Sequence, residues 1–175
     1  MQCIAGMLCA GLLAAAPLVA PAREPAPHQH GVARLEVAVD GPVLSFFLDC
    51  PLDNLLGFEH YPRNESERAA VRALGDRLRA AQTVFATPPA ARCAPTSVRL
   101  NSPVFESKPP AAGDGGHADL EAEFAFHCEA PEHLHSVDVR LFAGFPNMRR
   151  IDVQLATRAG QAGAKLDASS ETLRW

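Results

Sequence analysis

Gly116-His117-Ala118-Asp119-Leu120-Glu121-Ala122-Glu123-Phe124-Ala125-Phe126-His127-Cys128 alternates side by side almost without a break. Ala118, Leu120, Ala122, Phe124, Phe126 and Cys128 fall on one face, and His117, Asp119, Glu121, Glu123 and His127 on the other. A period of two is the mark of a half-buried strand, with one face in a core and one in water. The wet face opens with an imidazole and a carboxylate two residues apart, both good donors for a borderline metal ion. The dry face closes on a cysteine.

Working outward, 32–40 and 43–50 alternate in the same way and are joined by Asp40-Gly41, a hairpin signal. The second is the more apolar, hence the more central, and Pro51 ends it. An apolar loop with one glycine and one histidine follows over 54–60. Asn64 then precedes Glu67 by three residues, the spacing of a capping box. Ala70, Val71, Leu74, Leu78 and Ala81 recur at helical intervals behind it, which predicts a main helix over about residues 65–81.

Further short strands are expected at 83–86, 97–102, 137–141 and 151–155, with Cys93 in a loop and 160–163 as a glycine turn. Two short segments near 164–168 and 172–175 close the chain. The reading is one α+β domain over 32–175, antiparallel sheet of short strands packed against that helix.

The 175 residues carry a net charge of −4 and 47% apolar residues. This mildly acidic, ordinary composition offers no basic footprint for nucleic acid. Residues 4–19 are nearly all small or apolar, and Ala20-Pro21-Ala22 suits signal cleavage, so 1–22 read as a secretory signal and 23–31 as a mobile leader. The expectation is an exported protein with no stable membrane insertion after cleavage. Cys3 and Cys9 leave with the signal. Cys50, Cys93 and Cys128 remain for an oxidising compartment, one bridge and one spare thiol, in any of three pairings.

All seven histidines lie beyond residue 27. His28 and His30, two apart before a strand, form a chelate if the extended conformation starts early, since side chains i and i+2 lie about 6–7 Å apart on one face. His117 and Asp119 supply an imidazole and a carboxylate at the start of another strand. His60 joins them if its loop faces the same way. His133 and His135 are a possible second metal site. No Gly-x-Ser-x-Gly, His-Glu-x-x-His or Cys-x-x-Cys is present, so no catalytic constellation emerges and an enzyme is not expected.

Three motifs carry a resemblance. They are His28-x-His30-Gly31, Pro51-x-x-Asn54-Leu-Leu-Gly-Phe-Glu-His60, and His117-x-Asp119-Leu-x-Ala-x-Phe-x-Phe-x-Cys128. Together with Phe145-Pro146 and Ile151-Asp-Val-Gln they make the chain similar to the ZrgA-like periplasmic zinc-binding proteins of Gram-negative bacteria, long catalogued as a domain of unknown function. The resemblance implies a periplasmic location, Zn2+ as the metal, and buffering of zinc or its delivery to an uptake transporter or that transporter's binding protein. It also implies a Cys93–Cys128 disulfide. Many such proteins carry a histidine-rich insert before the His-x-Asp strand. Here the 107–116 connector holds no histidine, which leaves a compact site. The alternative is an exported adaptor that docks a partner protein through 54–60 without metal.

Overall fold

The computed structural model describes residues 29–106 and 118–175. The expected signal (1–22), most of the expected leader, and His28 and His117 lie outside them. Alternation does what it predicts in three strands. β1 (Val32–Asp40), β2 (Val43–Pro51) and β5 (Asp119–Cys128) bury every second residue. In β5, Leu120, Ala122, Phe124, Phe126 and Cys128 are buried, while Glu121, Glu123 and His127 are exposed. Two further strands, β4 (Cys93–Asn101) and β7 (Arg150–Thr157), and β8 (Gly160–Leu166) complete a six-stranded sheet in the order β4-β5-β2-β1-β7-β8. A second sheet of three strands joins β3 (Phe85–Ala86), β6 (Ser136–Val139) and β9 (Thr172–Arg174) in the order β3-β6-β9. The α+β architecture stands, with one refinement. β1 pairs parallel to β7, from Val32↔Arg150 to Ala38↔Ala156, inside an otherwise antiparallel sheet.

The two sheets share one core. Phe46 of β2 stacks on Phe85 of β3 at 3.9 Å between ring centroids, and Phe85 meets Phe124 of β5 edge-on at 5.0 Å. Fully buried aromatics in such pairs add directional attraction to their large apolar area. The main helix, α2 (Glu65–Arg79), contributes Val71, Leu74 and Leu78 to the same core. Its start is the one the spacing predicts. Asn64 Oδ1 accepts from the Glu67 amide at 2.9 Å, and Glu67 Oε2 accepts from the Arg63 amide at 2.7 Å, so two helix-start donors are satisfied. The helix stops at Arg79, and residues 81–84 form a separate turn, α3 (Ala81–Val84), that leads into β3.

Three expectations are corrected. Part of the 54–60 loop is a one-turn helix, α1 (Leu52–Leu56), closed by Gly57 at φ 78. Cys93 opens β4 instead of lying in a loop, and faces Cys128 across the ladder, where the two form the disulfide. Gly160–Gly163 is not a turn. The reversal falls at 158–159, and Gly160 begins β8, an edge strand exposed over its first four residues, with Ala164 and Leu166 packed on the core.

Candidate metal centre

The site is built at the end of the six-stranded sheet where β1 begins, β2 ends and β5 begins. The Val32 amide donates to the Gln29 carbonyl at 3.0 Å, closing a four-residue turn with His30 and Gly31 in the middle. Gly31 has φ 80, the left-handed value that the third position of a type II turn requires. A Cβ there would meet the Arg149 side chain at 3.2 Å, and the Gly31 carbonyl accepts from both the Arg149 and Arg150 amides. The turn is therefore fixed from β7 as well as from β1.

Its third tie is Asn54, a buried amide 1% exposed. Asn54 Oδ1 accepts from the Gly31 amide at 2.6 Å, and Nδ2 donates to the Val32 carbonyl at 3.0 Å. One side chain on α1 thus satisfies two backbone groups of the turn, as a buried polar group must be satisfied. Beneath it, the Asn54 Nδ2 lies 3.6 Å from Cys50 Sγ, which itself donates to the Pro51 carbonyl at 3.5 Å. Burial pushes the Cys50 thiol up to about 12, the Asn54 hydrogen bond opposes this, and Asp49 and Asp119 add to the rise. Cys50 is a protonated packing residue and not a thiolate nucleophile.

Held this way, the His30 imidazole faces acid on both sides. Nε2 is 3.1 Å from Glu59 Oε1, and Nδ1 is 3.7 Å from Asp53 Oδ2. Asp53 is anchored through its carbonyl, which accepts from the Gly57 amide at 2.9 Å and from Asn147 Nδ2 at 3.1 Å. Glu59 is anchored through its carbonyl, which accepts from the Ala118 amide at 3.2 Å, while the Ala118 carbonyl accepts from Leu52 at 3.1 Å. Ala118 is the residue between His117 and Asp119, and Asp119 pairs with Pro51 across the ladder. The start of β5 is therefore stitched to the same loop that carries Glu59.

The other candidates sit differently. His60 turns toward the start of α2, its Nδ1 3.0 Å from the Tyr61 carbonyl and 3.8 Å from Glu67 Oε2, its ring stacked on Phe58 at 5.0 Å. A carbonyl only accepts, so Nδ1 carries the proton and Nε2 is the nitrogen left for a metal. His133 ends a short 3-10 turn with Nε2 3.8 Å from Glu132, and His135 Nδ1 lies 2.7 Å from the His133 carbonyl. Among the described residues no group of three His, Cys, Asp or Glu side chains is arranged to hold one metal ion. His30 and Glu59 form a pair of suitable donors. An imidazole nitrogen and a carboxylate oxygen are the chemistry zinc takes. At 3.1 Å the two meet directly, as a hydrogen-bonded or ion pair.

Sequence reading gives Asp53 no part, and carries Asn54 and Glu59 only within the 51–60 motif, without a role. Acids and an amide in a short apolar loop look like ordinary surface polarity. The available signal was that Asn54 stands among Leu52, Leu55 and Leu56, where an amide needs a partner. A groove of about 350 Å³ lined in part by Tyr61, Val71, Arg72 and Phe105 lies along α2, but it contains none of these donors.

Residues 27–175 match the family described as ZrgA family zinc uptake protein. The chain belongs to that family. Among curated proteins none matches it significantly. The ZrgA match begins ahead of the His30 turn and runs to the last residue, so the turn, α1 and the start of β5 all fall within it. Membership ties this fold to zinc uptake. No helix among the described residues is long and apolar enough to cross a membrane.

Proposed function

We propose that this protein is an exported, non-catalytic zinc-binding protein of the periplasm that buffers zinc or passes it to an uptake system. The observation that carries the reading is the His30 turn. In a chain of a zinc uptake family, a histidine is set by three independent backbone ties into a position flanked by carboxylates. His28, His117 and Asp119 supply the further donors in this reading, with His60 Nε2 available from the adjoining loop. The acidic surroundings, with Asp53, Glu59 and Asp119, favour a cation over an anion. The signal-like stretch over 1–22 supports export, and the protonated, buried Cys50 supports a binder over a thiol enzyme.

Calorimetric titration of residues 23–175 with zinc tests this. Saturable binding at micromolar or lower zinc is expected, lost in a His28/His30/His117 triple alanine variant. An absence of binding, or equal binding by the triple variant, rejects it. Binding to the folded state also raises the melting temperature with zinc concentration, which the metal-free adaptor alternative does not predict.

A further inference from the structure

We propose that β8 is the contact edge of a homodimer, in which a second copy of this chain lays its own β8 antiparallel to the first about a two-fold axis through Gly163. The inference is independent of the zinc reading.

An edge strand presents a row of backbone N–H and C=O groups that pairs with another strand unless something prevents it. The six-stranded sheet has two such edges, β4 and β8. β4 is guarded. Its register shifts between Pro95 and Ser97, Pro95 has no N–H to give, and the Thr96 hydroxyl donates inward to the Ala125 carbonyl at 3.1 Å. β8 has none of these guards. It matches β7 residue for residue from Thr157↔Gly160 to Ile151↔Leu166, contains no proline, and holds one charge, Lys165. Its first four residues are exposed, and among the described residues no strand lies on its outer side.

The charges identify the occupant. Gly163 is the middle residue of the seven in β8, so an axis through it gives the self-pairing that uses the whole strand. Gln161 then stands opposite the partner's Lys165, Ala162 opposite the partner's Ala164, and Gly163 opposite the partner's Gly163. The strand's one cation never meets its own copy, an arrangement that like charges would oppose. At the centre, glycine keeps side chains from between the two backbones. Just beyond the ends, the Arg158–Ala159 reversal of one copy comes beside the partner's Asp167. Arg158 is 82% exposed, 3.6 Å from the exposed Asp40 carboxylate. Asp167 is exposed too, its Oδ1 accepting from the Ser169 and Ser170 amides. Opposite charges therefore meet at both ends of the junction. A strand from another protein would have to supply this pattern, whereas a second copy brings it by symmetry. The axis also sends the two His30 turns to opposite ends of the joined sheet, so neither is covered.

Sedimentation equilibrium of residues 23–175, without metal, reads the association. The wild type is expected to be dimeric at about 100 μM and to dissociate on dilution, as a junction of small area should. Gly163→Lys sets two cations face to face and is expected to weaken the dimer about tenfold or more. The monomer has room for it, since a Cβ at 163 meets nothing nearer than the Val153 carbonyl at 3.8 Å. Gln161→Glu places an anion opposite the partner's Lys165, twice per dimer, and is expected to tighten it about three- to tenfold, with Gln161→Lys weakening it by as much. Within one chain residues 161 and 165 lie about 13 Å apart along the strand, so these opposite effects report the junction. Hydrogen exchange in β8, and not in β4, is expected to slow as protein concentration rises. A dimer that Gly163→Lys leaves intact, or that leaves exchange in β8 unchanged, forms elsewhere and overturns the proposal. A wild type that stays monomeric at every concentration leaves the edge to a different protein's strand, and overturns it as well.

Discussion

The two ends of β5 are closed by different means. At the Cys128 end a covalent bond to Cys93 joins β5 to the edge strand β4, across a separation of 35 residues. At the Asp119 end no bond of that kind exists among the described residues. Order there depends on one buried amide, Asn54, and on Ala118 bonded to Glu59 and Leu52. Each end also carries a described histidine from a His-x-His spelling. His135 turns its ring onto the His133 carbonyl, whereas His30 meets carboxylates on both faces. The same His-x-His spelling thus meets different surroundings, acids and a held backbone at one end and only its own carbonyl at the other.

The largest effect expected from this comparison is at the covalent end. Replacing Cys93 and Cys128 by alanine should cost about 3–4 kcal/mol by the loop-entropy model, and lower the melting temperature by on the order of 10 °C. Zinc affinity, measured well below that melting point, should stay within twofold. A large loss of zinc binding in this variant would show that the two ends are coupled. Asn54→Leu comes next. It leaves the Gly31 amide and the Val32 carbonyl without their partner, at a cost of about 2–3 kcal/mol in denaturant unfolding, and unlike the disulfide variant it should also weaken zinc.

The third effect belongs to the thiol beneath Asn54. Burial holds Cys50 protonated up to about 12 against an ordinary value of 9.0. In that interval the unfolded chain ionises and the folded chain does not. The stability this gives is complete below about 9 and declines as pH rises toward 12, by on the order of 1 kcal/mol per pH unit. Urea unfolding at a series of alkaline pH values should show this decline in wild type and a flatter curve in Cys50→Ala. An identical slope in both proteins would remove Cys50 from the account. The smallest effect is at the other histidine pair, where His133→Ala/His135→Ala should leave high-affinity zinc binding unchanged. A drop in stoichiometry by one ion in that variant would instead reveal a second site at the disulfide end.

Much of the fold could be read ahead of the coordinates, since β1, β2, β5 and the Asn64 cap are written in local spacing. The parallel contact of β1 with β7 could not, because it joins residues more than a hundred positions apart and leaves no periodic trace. α1 escaped because five residues are too few to show a helical repeat. Gly160 and Gly163 read as a turn because glycine usually marks one, yet an exposed edge strand tolerates them. At the site, His30 was legible as part of a spaced pair. Glu59 and Asp53 were not, because an acid beside an imidazole in space is an ordinary acid in sequence. The disulfide needed the family resemblance, since spacing left three pairings open.

β1 is an interior strand, with a ladder on each side from β2 and β7. Any pull on the chain ahead of Gln29 is thus resisted by the middle of the sheet, whereas α1 is a single turn at its border. On the proposed delivery reading, α1 is the part an acceptor would work on. Levering it away would withdraw Asp53 and Asn54 together and release the Gly31 turn, while the sheet itself stayed intact.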